Sequence, residues 1–164
     1  IRRGAGERLR IGRALAGAAI TAAERSRHVK GPLTVAEERI EVPRAASHPM
    51  HGSPVRLEVT ALGVGELGVV FLPGEILAET GLYLKTRSPF PHTLVVSLAN
   101  QAVGYIPTRT AFMQGGYEVK HARTTHGMTE EAEPLLTDAA VRALVRAWEA
   151  GALRPPADAQ TKPQ

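Results

Sequence analysis

Residues 55–61 alternate strictly, with Val55, Leu57, Val59 and Ala61 set against Arg56, Glu58 and Thr60. That period of two predicts a strand with one face in a core and the other in water. After "GVGE" the run "LGVVFL" is apolar without a break, so the pair is expected to be a hairpin whose second strand is buried on both faces. "HTLVVSLAN" at 92–100 predicts a second buried strand, and the segment between them, broken open by Pro73-Gly74, reads as a helix from about Glu75 to Lys85. Upstream, "GPLTVAEERIEVP" reads as one or two strands between Gly31-Pro32 and Pro43, followed by "RAASHPMHGSP" as a loop.

Two longer helices bracket these strands. In residues 6–25, Ile11, Leu15, Ala18, Ala19 and Ala22 recur at helical spacing with arginines on the opposite side, which predicts an amphipathic helix packed through small residues. A last helix is expected from near Pro134 to Ala150, with Leu136, Ala140, Ala143, Leu144 and Ala147 as its apolar stripe, Pro134 in its first turn and Gly151 at its stop. The fold class is α/β, a mixed sheet with flanking helices. Residues 1–152 form one domain on this reading, and "RPPADAQTKPQ" gives 153–164 the composition of a disordered tail.

Composition changes this picture in three places. A hydrophobic fraction of 43% over 164 residues is enough for one core, and too high for a disordered chain. The net charge of +4 raises nucleic acid as a partner, but beyond Arg2, Arg3, Arg8, Arg10 and Arg13 the basic residues are scattered among acids, and a phosphate-tracking surface needs a stripe. The absence of cysteine excludes disulfides and thiolate metal sites. "ALAGAAITAA" is too short to cross a bilayer, and although arginines precede it, it continues into "ERSRHVKGP" without a convincing signal-peptide cleavage site. With Ile1 followed at once by helical sequence, the chain is expected to begin inside a larger protein.

If the two apolar strands are parallel neighbours joined by the helix between them, Glu75 after the first and Asn100, Tyr105 and Tyr117 after the second rise on one edge, where open α/β sheets commonly carry their sites. Each residue also has a plain structural role open to it. Glu75 at a helix N-terminus would favour the helix dipole, Tyr105 would bury its ring and bond a backbone carbonyl, and Tyr117 would begin a short strand. Of the six histidines, His48 and His51 share a proline-flanked loop, His121 and His126 flank a polar stretch, and His92 reads as a strand start. None has helical metal-ligand spacing. There is no nucleophile elbow, phosphate loop or dinucleotide fingerprint.

In their order and spacing, "VVFLPGE", the helix, "HTLVVSLANQAVGYIPT" and "FMQGGYEV" resemble the C-terminal part of the catalytic domain of the neutral/alkaline, non-lysosomal ceramidase family and its bacterial relatives. "RIGRALAGAAITAAE" is similar to the helix preceding that part, so the resemblance runs to about residue 150. It implies a partial domain of a larger zinc hydrolase that splits an N-acyl amide, ceramide to sphingosine and fatty acid in the named enzymes. It implies that Glu75 and Tyr105 are ligands to Zn2+, and that Tyr117, twelve residues after Tyr105, donates to the scissile carbonyl or its oxyanion. The expected partners are a small-molecule or lipid amide, the N-terminal half of the catalytic domain with its two histidine ligands, and peripherally a membrane, with no nucleic acid. This chain alone is then expected to be inactive. The competing reading is a non-catalytic α/β module of the same ancestry, with Glu75 and Tyr105 in structural or binding roles.

Overall fold

The computed structural model describes residues 4–152. Helix α1 (Ala5–Glu24) leads into a four-stranded mixed sheet of order β1-β2-β3-β5, built from β1 (Leu33–Val42), β2 (Val55–Val64), β3 (Leu67–Phe71) and β5 (His92–Val96). The first three strands run antiparallel through successive neighbours, and β3 pairs parallel with β5 in the register Val69 with Leu94 and Val70 with Val95. Between β3 and β5 the chain makes the short strand β4 (Glu75–Ile76) and helix α2 (Ala78–Arg87), the helical crossover that a parallel pair requires.

One face of this sheet carries the core. Val55, Leu57, Val59 and Ala61 of β2, with Val42 and Val70, are at most 5% exposed. They lie under the long helix α5 (Ala132–Ala152), whose Leu136, Ala140, Ala143, Leu144 and Ala147 form the facing stripe. Burying a Val or Leu side chain in this way contributes about 1.5–3 kcal/mol. A slot crosses the sheet where Gly63 pairs with Gly68, and Phe90 lies in it. A Cβ at either glycine would stand within 2.8 Å of the Phe90 ring, which in turn meets Trp148 of α5 edge-on at 5.0 Å. Thr34 closes the same end by donating its hydroxyl to the Ala147 carbonyl at 2.7 Å, and Glu38 holds Arg142 and Arg146 at 3.2 and 2.8 Å.

Several expectations change against this frame. Strand β5 is the edge of the sheet, and its residues are exposed or half-buried, not buried on both faces. In β3 only Gly68 and Val70 are buried. The apolar runs follow from the sheet's outer face, where Leu33, Val35, Leu94 and Val96 lie open among the described residues. Helix α1 forms as the periodicity predicts, but none of its residues is buried, so the packing expected through its small residues is absent among the described residues. Helix α5 runs through Gly151, which therefore does not stop it. The expected tail, 153–164, lies outside the described residues.

Candidate functional site

Past Phe71 the chain leaves the sheet through Leu72-Pro73-Gly74-Glu75 and is bonded on both sides. On one side Leu72 N–H donates to the Val96 carbonyl at 2.8 Å, and Ala99 and Leu98 donate back to Leu72 and Gly74 at 2.9 and 3.2 Å. On the other, Val103 N–H reaches the Pro73 carbonyl at 2.9 Å and Glu75 N–H reaches the Gly104 carbonyl at 2.8 Å. The segment is thus threaded between the two legs of the loop that follows β5. Gly74 permits the approach, since a Cβ there would stand 2.7 Å from the Gly104 oxygen and 2.8 Å from Ile106 Cδ1.

Glu75 and Ile76 then pair in parallel with Tyr105 and Ile106 of β6 (Tyr105–Ile106), a two-residue sheet in which Glu75 stands opposite Tyr105. This corrects the placement of Glu75 in a helix N-terminus. Helix α2 starts only at Ala78, so the helix-dipole role is not available to Glu75 in the first turn. Beyond β6, Thr108 caps helix α3 (Arg109–Gln114) by accepting from Ala111 N–H at 3.1 Å. Gly115 and Gly116, both at positive φ, turn the chain into helix α4 (Tyr117–His121). Tyr117 therefore opens a helix, not a strand. Its ring meets that of Tyr105 edge-on with centroids 5.9 Å apart, so Glu75, Tyr105 and Tyr117 occupy one locality.

The electrostatics of this cluster are one-sided. The half-buried Tyr105 phenol is pushed above the ordinary tyrosine range, first by burial and then by the Glu75 carboxylate, which repels a phenolate and can accept the phenol's hydrogen. Tyr117 and Glu118 push in the same direction. A divalent cation beside the Glu75 and Tyr105 oxygens would reverse the sign of that environment and favour the carboxylate and the phenolate as donors. Among the described residues no three His, Asp or Glu side chains converge as a metal-binding group.

Asn100, expected beside the site, turns its side chain elsewhere. Its amide donates to Thr60 Oγ1 at 3.0 Å, while Gln101 accepts from Glu58 N–H at 3.0 Å along β2, beyond the point where β3 ends. These bonds hold a loop in which Leu98 and Asn100 both have positive φ, 55° and 66°. Such conformations cost of order 1–3 kcal/mol each and concentrate at functional sites.

Periodicity did not disclose the support behind Tyr105. Ala122–His126 form a π turn continuing α4, and the His126 ring packs against Gly104, 3.4 Å from where a Cβ would stand. The "SHPMH" loop is docked on the same turn. Arg44 donates to the His126 carbonyl, Ala45 N–H donates to the Gly127 carbonyl at 2.7 Å, and His48 lies over Gly127. His48 also accepts Met50 N–H on Nδ1 at 3.2 Å, a local loop bond.

No protein-family model matches the sequence, and no curated protein matches it. Solved structures do. A ceramidase complexed with C2 superposes with a TM-score of 0.53 at 17% identity over 73% of this chain, and the neutral ceramidase from Pseudomonas aeruginosa with a TM-score of 0.44 at 21% identity over 60%. The chain spans 18% and 17% of the lengths of those two proteins. The first likeness places the α/β fold with that of part of a ceramidase, in agreement with the resemblance drawn from the motifs.

Proposed function

We propose that this chain forms the C-terminal part of the catalytic domain of a zinc-dependent amide hydrolase, with Glu75 and Tyr105 as two of the metal ligands and Tyr117 as a catalytic residue. The observation that carries this reading is the pairing of Glu75 with Tyr105 across β4 and β6, with the Tyr117 ring 5.9 Å from that of Tyr105. Bound zinc would polarise an amide carbonyl and acidify a water molecule. The chain's own contribution is to hold two oxygen donors on hydrogen-bonded backbone and to offer the Tyr117 hydroxyl, exposed above them, as a donor to the oxyanion that develops from the carbonyl.

Two further ligands, both histidines, come on this proposal from the N-terminal half of the catalytic domain, for which the open apolar face around Leu33, Val35 and Leu94 is a packing surface. The substrate is an N-acyl amide, ceramide-like if the likeness extends to the acyl chain, delivered from a membrane surface. The basic residues play no part in binding nucleic acid.

The test is the zinc content and amidase activity of the natural gene product that carries this chain. About one zinc per chain, lost in Glu75→Ala and weakened in Tyr105→Phe together with hydrolysis of an N-acyl substrate, is the expected result. A product that keeps its metal and its activity after both substitutions would remove the assignment. A zinc-free product without hydrolytic activity would leave a structural α/β module.

A further inference from the structure

Tyr117 is 61% exposed, so burial does not fix its ring. It stands at the first position of a five-residue helix, directly after Gly115 and Gly116, and no side chain caps that helix start. Exposed side chains change rotamer in picoseconds to nanoseconds, whereas a donor to a developing charge is effective only when already held in place. Two rings touch that of Tyr117 among the described residues. Tyr105 meets it nearly perpendicular, at an interplanar angle of 78°, and His121 lies closer, with centroids 4.3 Å apart and the planes tilted by 45°. The spacing of four residues places His121 one turn along α4 on the same face as Tyr117.

We propose that His121 is a positioning residue for Tyr117. Its ring closes the side of the phenol that Tyr105 leaves open, and so restricts the tyrosine to rotamers that keep the hydroxyl on the Tyr105 side. The backbone carrying His121 is anchored to the core beyond Tyr117. Val119 and Ala122 are buried on either side of it, and Thr124 donates its hydroxyl to the Lys120 carbonyl at 2.9 Å. The imidazole, itself exposed, thus stands on backbone anchored to the core and gives the phenol a second ring to rest against. The proposal rests on the reading of Tyr117 as donor to the substrate carbonyl, and its test separates the two.

The ring contact is read without catalysis, from the proton resonances of the His121 imidazole in the natural gene product. Ring current from Tyr117 should displace them, and Tyr117→Leu should return them toward solvent-exposed values. The catalytic consequence is read from rates. His121→Ala should lower kcat about two- to tenfold, the range expected of one aromatic contact, with KM little changed. His121→Phe should restore most of the loss, because it keeps the ring and discards the titrating nitrogen. In a Tyr117→Phe background, His121→Ala should cost nothing more.

Imidazole resonances that ignore Tyr117→Leu would overturn the proposal, as would a His121→Ala loss of equal size with and without the Tyr117 hydroxyl. Failure of His121→Phe to restore kcat would overturn a role through the ring alone. If the resonances move as expected but Tyr117→Phe leaves kcat unchanged, the contact stands and the reading of Tyr117 as a catalytic donor falls, and the positioning role with it.

Discussion

Glu75 and Tyr105 are opposite one another in a two-residue parallel sheet, and the bond that sets their register, from the Glu75 amide to the Gly104 carbonyl at 2.8 Å, passes directly over Gly74. What a Cβ at Gly74 would strike is backbone, the Gly104 oxygen at 2.7 Å, which cannot rotate away as a side chain would. Gly74→Ala should therefore force β4 and β6 apart, at a cost of about 1–3 kcal/mol in urea denaturation. On the proposal of a zinc site at Glu75 and Tyr105, it should weaken metal binding more than a core substitution of equal cost. Leu136→Ala, on the buried face of α5 and remote in sequence from the pairing, is the control.

That pairing also marks where the sequence stopped being informative. Strand β2 was legible because ten residues supply several repeats of a two-residue period, and the parallel neighbours β3 and β5 because both are apolar runs separated by a helix-sized interval. A two-residue bridge supplies no period. "PGEILAETG" has the composition of a helix start, and only Tyr105, thirty residues on, turns Glu75 into a strand residue. Helices α3 and α4 and the π turn escaped for the same reason, being five or six residues long. Their order comes from burying Phe112, Val119, Ala122 and Met128 in the core, a tertiary cause that local pattern does not carry. Glu75, Tyr105 and Tyr117 were singled out through the family resemblance, and their shared locality, like the His121 and His126 contacts, required coordinates.

Glu133, near the start of α5, accepts a hydrogen bond from Thr80 of α2 at 3.0 Å, yet its carboxyl is held above the usual range. Burial is the largest cause and outweighs the opposing effects of Thr80 and Arg109, with Asp138 adding to it. A carboxyl raised in the folded state favours folding below its unfolded value, about 4.3, and loses that contribution as pH rises through the folded value. At neutral pH the charged form is therefore a cost. Glu133→Gln, which keeps an acceptor for Thr80, should raise Tm at pH 7 by up to about 3 °C, and the gain should shrink towards pH 4. Thermal melts at the two pH values decide it. A lower Tm for the variant at pH 7 would mean that the charge on Glu133 is favourable in place.

His126 reverses that sign. Its ring is half-buried against Gly104, beside Arg44 and His48, and burial first, then the charge of those two neighbours, holds it below the ordinary histidine range. Its neutral form is the one the fold accepts, so its contribution is present above the unfolded value of about 6.5 and is lost as pH falls through the folded value. Protonation would put a further positive charge beside Arg44 in the contact that docks residues 44–51 on the turn behind Tyr105, where Arg44 already donates to the His126 carbonyl. Urea midpoints measured between about pH 7.5 and 5 should fall with acidity, and His126→Gln should flatten that fall while leaving the slope of each unfolding curve unchanged. His48→Gln is the discriminating companion. Because His48 acts on His126 as a neighbouring charge and its ring lies over Gly127, its loss should relieve only part of the acid sensitivity. A His126→Gln protein with the acid sensitivity of the parent would mean that His126 is not the source of it.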